Sequence, residues 1–392
     1  MTFPLAHRLL AIAPFRVMEV IKRAHELEQA GRSVIHMGIG EPDFPTAEPV
    51  LKAAAHALQE GATRYTPAMG LPQLREAISK HYHDIFKIDV PASRIVVTAG
   101  ASGALLLACA ALIERDRDLL MPDPSYPCNR HFVAAFEGRA KLIPTGPAER
   151  FQLTAEQVTT HWTNQTSGVL LASPSNPTGT SIAPAELARI VEVVRQHGGF
   201  TLVDEIYQGL SYDAAPESAL ALGDDIVVIN SFSKYFNMTG WRLGWLVVPP
   251  HMLGAIEKLA QNMFICASSV AQHAALACFT PEASVIFESR KAEFQRRRDF
   301  IVPALKKLHF DIPIVPDGAF YVYADCSHWS DDAQELTSDI LESTGVVLVP
   351  GADFGSHGAR RYIRVSYATS MDNLIEAVSR LSEFFRLRKA LR

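Results

Sequence analysis

The 392-residue sequence predicts an α/β fold built on a largely parallel sheet, with a smaller unit at its C-terminal end. Three observations carry this. Short β-branched runs alternate with longer amphipathic stretches. The runs are apolar throughout instead of alternating, as strands covered on both faces must be. The composition is 48% hydrophobic and 20% charged, that of an ordinary globular chain. This length allows two or three domains.

The elements follow in order. Residues 94–98 (RIVVT) read as a buried strand, and an apolar helix follows at 102–113. Further strands are expected at 118–121, 169–172, 200–203, 226–230 and 242–248, with a helix at 184–197 between two of them. Together they make residues 49–284 one large domain. Residues 285–392 read differently. They hold a long charged helix (288–308), a strand pair near 320–323 and 362–366, and a last helix from Met371. Residues 1–48 are too few for a core of their own and are expected to complete that C-terminal part as a split small domain.

Several classes are set aside. The formal net charge is −5, whereas a nucleic-acid binder carries a basic excess. Arg296-Arg297-Arg298 is read as a solvated helix face. The five cysteines lack any CxxC pair, so neither a disulfide scaffold, a zinc site nor any other metal site is expected. Reduced thiols in a cytoplasmic protein are. The longest strongly apolar stretch, 103–113, is too short to span a bilayer, and the N-terminus, interrupted by His7, Arg8 and Pro14, develops no targeting segment.

The chemistry gathers where strands end. In open α/β sheets, ligands bind beyond the carboxyl ends of strands. Asn176, Asp204, Tyr207, Ser231, Ser233 and Lys234 all follow such ends. Lys234 could be a surface loop lysine. With Ser231, Ser233 and Arg242 near it, a partly desolvated and nucleophilic amine is the better reading, one suited to a Schiff base with an aldehyde cofactor. Asp204 either caps the following segment or holds the positive charge of a pyridine nitrogen. Asn176, in Ser-Pro-Ser-Asn-Pro-Thr-Gly, is either a turn residue or a hydrogen-bond donor to a phenolate oxygen, shared with Tyr207. Gly100-Ala101-Ser102-Gly103 opens a helix after a strand, which suits a phosphate. Arg364, in the alternating run Tyr-Ile-Arg-Val-Ser-Tyr, is either a surface residue or a bidentate carboxylate clamp.

These residues resemble a known family. Ser231–Trp245 is similar to the lysine signature of class I/II aminotransferases, the fold-type I pyridoxal-phosphate enzymes. Ser-Asn-Pro-Thr-Gly (175–179), Asp-Glu-Ile-Tyr (204–207), Gly-Glu-Pro-Asp-Phe (40–44), Asp-Gly-Ala-Phe-Tyr (317–321), Pro-Gly-Ala-Asp-Phe (350–354) and Arg-Val-Ser-Tyr-Ala (364–368) match in family order. The likeness runs from about residue 38 to 369 and so covers nearly the whole chain.

The resemblance implies a fold-type I transferase with a mostly parallel seven-stranded sheet and a smaller α+β domain. It implies an aminotransferase that uses pyridoxal 5′-phosphate and passes an amino group from an L-amino acid to a 2-oxo acid in two half-reactions. Lys234 would form the Schiff base and act as general base. Asp204 would pair with the ring nitrogen, and Asn176 and Tyr207 would contact the ring hydroxyl. Tyr126 would stack on the ring. Ala101, Ser102, Ser231, Ser233 and Arg242 would hold the phosphate, joined by Tyr65 from the neighbouring subunit of a homodimer. Arg364, with Asn176 and the Gly40 N–H, would clamp the substrate carboxylate. Aspartate aminotransferases of the nearest subgroup often carry lysine where this chain has Ser102. With Ile39, Tyr126 and Phe354 as expected pocket neighbours, the donor is read as neutral or aromatic. The alternatives are β-elimination (a C–S lyase) or another reaction on the same cofactor and, more remotely, a ligand-sensing aminotransferase-like domain.

Overall fold

A computed structural model describes residues 3–14, 17–213 and 217–390. In chain order the strands are β1 (Ile35–His36), β2 (Ile95–Thr98), β3 (Asp118–Asp123), β4 (Arg139–Pro144), β5 (Thr166–Ala172) and β6 (Phe200–Asp204), then β7 (Val227–Ser231), β8 (Gly244–Val247), β9 (Tyr321–Asp325), β10 (Val346–Val347), β11 (Val349–Pro350) and β12 (Tyr362–Ser366). Seven of them form one sheet in the order β2-β8-β7-β6-β5-β3-β4. β8 runs antiparallel to both its neighbours, and the other pairs are parallel.

The apolar runs become strands because both faces of this sheet are covered. Val169 and Leu171 on β5 enter one core cluster while Leu170 enters another, and β2, β6, β7 and β8 divide in the same way. Each such side chain contributes about 2 kcal/mol on burial. β4 escapes the pattern. Its sequence, RAKLIP, carries Arg139 and Lys141, and it pairs with β3 alone at the sheet edge. Edge strands tolerate charge on their open side.

The helix Gly100–Leu112 is apolar nearly all round because it packs between the sheet and the helix Leu253–Met263. The long helix Pro281–Lys307 starts earlier than its charged stretch. Thr280 caps it by accepting from the Ala283 N–H, and Pro281 occupies its first turn.

The basic run on that helix corrects the sequence reading. Only Arg296 is solvated. Arg297 is buried and paired with Asp43 and Glu293. Arg298 is buried too, paired with Asp213 and Asp299. A helix laid against a second layer turns two of three consecutive residues inward, so a charge run there needs buried partners.

The smaller unit holds β11-β12-β9 in antiparallel order, with Arg364 of β12 opposite Tyr323 and Val349. β1 pairs in parallel with β10, Ile35 against Val346. The chain leaving β1 then lies along β12, where Met37 O accepts from the Ser366 N–H at 2.8 Å. This places residues 38–41 beside Arg364.

Candidate active site

A cavity of about 470 Å³ lies at one end of the strands of the seven-stranded sheet, where the smaller unit meets it. The parallel strands point their carboxyl ends there, as β/α geometry requires. β8 runs the other way. Its pairing puts Gly244 opposite both Thr98 and Ser231. Arg242, two residues before β8, therefore reaches the same end of the sheet. Lys234, Asp204, Tyr207, Asn176, Tyr126, Ala101, Ser102, Ser233, Arg242, Gly40 and Arg364 all line this cavity, whereas Ser231 and Tyr65 do not.

Lys234 follows β7 in a tight turn and donates through Nζ to Gly40 O at 2.6 Å. Burial pushes its amine down to about 8. Glu41 and Asp204 oppose that shift, and Arg364 and Arg242 add to it. Asp204 is the buried last residue of β6, and its Oδ1 accepts from the Ile206 N–H at 3.0 Å. Burial pushes its carboxyl up to about 6, against the Ile206 N–H and Lys234. Tyr207 O–H and Tyr321 O–H share a 2.7 Å hydrogen bond.

The end of the cavity at Arg242 is built from three turns. Gly100 has φ +71°, and a Cβ on it would lie 2.5 Å from Arg242 Nη2. A Cβ on Gly244 would meet the Ala101 N at 2.9 Å. Only glycine lets these backbones and the guanidinium converge. Ala101 and Ser102 form the first turn of the helix Gly100–Leu112. Arg242 is exposed and donates from Nη1 to Thr239 O at 2.9 Å. Ser233 lines the cavity, whereas Ser231 sits behind it. The Ser231 hydroxyl donates to Ser233 Oγ and Leu243 O.

At the opposite end Arg364 is buried. It donates from Nη1 to Asn176 Oδ1 at 2.8 Å and from Nη2 to Gly38 O at 2.6 Å. Its guanidinium carbon lies 4.5 Å from the Tyr321 ring centre and 4.6 Å from that of Phe354. Its Nε has no partner among the described residues. Gly40 leaves room for Tyr321, since a Cβ there would come within 2.6 Å of the phenol oxygen.

Of the expected pocket neighbours, Ile39 and Tyr126 line the cavity. Phe354 does not. It is fully buried and touches the site through Arg364, because the loop carrying it folds under the arginine. Tyr65 stands outside the cavity, 79% exposed.

Sequence reasoning gave no role to Glu41, Tyr321 or the helix Val17–Gln29. Glu41 lines the cavity and accepts a hydrogen bond from the Thr239 hydroxyl. Val17, Met18 and Ile21 present an apolar wall. The available signals were the Gly-Glu-Pro-Asp-Phe and Asp-Gly-Ala-Phe-Tyr motifs and the helical spacing of Val17, Ile21 and Ala24.

The donor set suits pyridoxal phosphate. The Gly100 turn, Ser233 and Arg242 offer N–H and O–H donors and a cation to a dianion. The cradle they form is one that a Cβ at Gly100 or Gly244 would fill. A free amine and a buried carboxylate stand in the same cavity. No group of three or more potential metal ligands occurs among the described residues.

Comparison with known proteins agrees. A family model for aminotransferases of class I and II matches residues 32–381. A valine–pyruvate aminotransferase of Mycobacterium tuberculosis is 38% identical over 375 residues, 95% of this chain and 96% of that protein. A solved aminotransferase structure from Mycobacterium tuberculosis has a TM-score of 0.95 at 37% identity, covering 98% of this chain and all of that one. A Methanococcus jannaschii structure, described as similar in its active site to kynurenine aminotransferases, has a TM-score of 0.90 at 34% identity over 97% of this chain and all of that one. The chain belongs to the aminotransferases of class I and II, pyridoxal-phosphate enzymes that move an amino group from an amino acid to a 2-oxo acid.

Proposed function

We propose that the donor is a neutral or aromatic L-amino acid and that Lys234 is the amine that binds the cofactor aldehyde and moves the Cα proton. The observation that carries this is a half-buried Lys234 amine, pushed down to about 8, in one cavity with Asp204 and Arg364. Bound there, pyridoxal phosphate supplies an electron sink for charge developing at the substrate Cα.

The chain's own groups do the rest. The Gly100–Ser102 turn, Ser233 and Arg242 grip the phosphate, with Ser231 orienting Ser233. Asp204 holds a positive charge at the inner end of the cavity, where burial makes a charge partner worth more than in water. Tyr207 and Asn176 would hydrogen-bond the ring hydroxyl, and Tyr126 would pack on the ring. Arg364 binds the substrate carboxylate and sets Cα near Lys234. Its contribution is mainly orientation. Lys234 Nζ takes the Cα proton and later releases it, a role for which an amine near 8 is well matched.

The apolar wall of Val17, Met18, Ile21 and Ile39 supports an uncharged donor side chain. The cations lining the cavity among the described residues are Lys234, Arg242 and Arg364, each already assigned. Among the described residues, no further cation lines the cavity for a second substrate carboxylate. The relative named for valine and pyruvate points the same way.

The homodimer reading is supported by Tyr65, whose side chain is largely exposed and stands outside its own chain's cavity. Phe3, Leu5 and Leu10, exposed in the N-terminal segment, would be covered by the same copy. The division into 49–284 against 1–48 with 285–392 is supported by separate cores on the seven-stranded sheet and around β9 and β12. Five cysteines without a disulfide support a cytoplasmic setting.

The test mixes purified holoenzyme with a panel of amino acids and follows the cofactor's visible band. Valine- and phenylalanine-like donors should convert it at lower concentration than aspartate, and the reverse order overturns the donor assignment. Ammonia release without an added oxo acid would favour elimination over transfer.

A further inference from the structure

Asp123 ends β3 in the seven-stranded sheet and is buried, yet it takes no part in the cavity just described. A buried carboxylate is costly unless its oxygens are satisfied. Here the donors come from the smaller unit. Asp123 Oδ2 accepts from Ser356 N and Ser356 Oγ, each at 3.0 Å, and from His357 N at 3.2 Å. Its Oδ1 also lies 3.2 Å from Ser356 N. The loop is shaped around this carboxylate, since a Cβ on Gly355 would come within 1.7 Å of Oδ1. Two residues beyond Asp123, Ser125 N donates to Phe354 O at 2.9 Å.

These two straps hold Phe354 and the residues just after it, and Phe354 is one of the two rings that the Arg364 guanidinium lies over. The arginine has two in-plane partners, Asn176 and Gly38 O, while its Nε is unpaired. The plane of the guanidinium is therefore set by these two partners together with the two rings it lies over. Bidentate capture of a carboxylate depends on that plane.

We propose that Asp123 is a positioning residue for the substrate-carboxylate clamp, holding the loop around residues 354–357 so that Phe354 and Tyr321 keep the Arg364 guanidinium in its binding plane. This rests on the reading of Arg364 as the carboxylate clamp. Asp123 touches neither cofactor nor substrate, and its influence passes through Phe354.

The test uses Asp123→Asn, which keeps the shape and removes the charge-assisted acceptor. The cofactor band of the holoenzyme is titrated with a donor amino acid and with the amine lacking its carboxylate. Half-conversion by the amino acid should require roughly ten- to hundredfold more. The amine titration and the apoenzyme's affinity for pyridoxal phosphate should stay as in the parent protein. Phe354→Leu should shift the amino-acid titration in the same direction, and the double variant should lose less than the sum of the two. Ser356→Ala, which removes one donor, should give a smaller shift of the same kind and carries the test if Asp123→Asn does not fold. An unchanged amino-acid titration, equal losses for amino acid and amine, or additive effects of the two substitutions would overturn the proposal. Arg364→Lys separates the two claims. If it discriminates amino acid from amine while the Asp123 and Ser356 variants do not, only the positioning role fails. If it does not discriminate, the clamp reading itself fails.

Discussion

The two ends of the cavity are built in opposite ways. The anion-facing end draws on turns of a single sheet, at Gly100–Ser102, Ser233 and Arg242, and its arginine is exposed with one carbonyl partner. The Arg364 end draws Gly38, Asn176, Tyr321, Phe354 and Arg364 from widely separated parts of the chain, and its arginine is buried against two rings. The first end is a set of donors from neighbouring turns. The second holds its cation by two hydrogen bonds and two aromatic rings. Cofactor retention and substrate choice should therefore fail separately.

The largest effect is expected at the joint between the ends. Lys234→Ala should lower turnover by roughly a thousandfold or more, because the proton at Cα loses its acceptor. Cofactor should still bind through its phosphate, as equilibrium dialysis would show. Substantial remaining turnover would remove Lys234 from the mechanism.

A crossed pair of substitutions sharpens the comparison. Arg364→Ala should lower kcat/KM for amino acids roughly a hundredfold, the scale of lost charge-assisted hydrogen bonds, and leave amines nearly untouched. Arg242→Ala should instead weaken cofactor binding roughly tenfold or more without changing the ratio of amino-acid to amine use. If either variant showed the other's signature, the two ends would not be independent.

The smallest expected effect is one of pH. The apoenzyme should capture pyridoxal phosphate at a rate that rises through about pH 8 and then levels off. The sign follows from burial, which disfavours the ammonium, so the attacking free amine persists to lower pH than in an exposed lysine. Below that midpoint the rate should fall about tenfold per pH unit. Stopped-flow absorbance measures it, and a midpoint near 10.5, the ordinary lysine value, would mean that Lys234 is solvated.

The difference between the ends also explains what could be read in advance. Six of the seven strands of the large sheet were visible as apolar runs, because burial on both faces leaves an unbroken local signature. β4 was not, since an edge strand with Arg139 and Lys141 has no such run. β1, β10 and β11 are two residues each, and their pairing is decided by what they meet. The anion-facing residues announce themselves as small and hydroxyl side chains at strand ends. Glu41, Tyr321 and the wall of Val17, Met18 and Ile21 do not, because each becomes part of the site only when the smaller unit folds against the sheet.

By itself the sequence determined the alternation of strands and helices, the strand-end chemistry and the amine at position 234, all properties of short segments with local periodicity. Tertiary structure alone decided which arginines are buried, that Phe354 lies behind Arg364 instead of in the cavity, and that Asp123 reaches the turn at Ser356 and His357. Those outcomes depend on contacts between residues far apart in the chain, and no local pattern encodes a partner that only folding brings near.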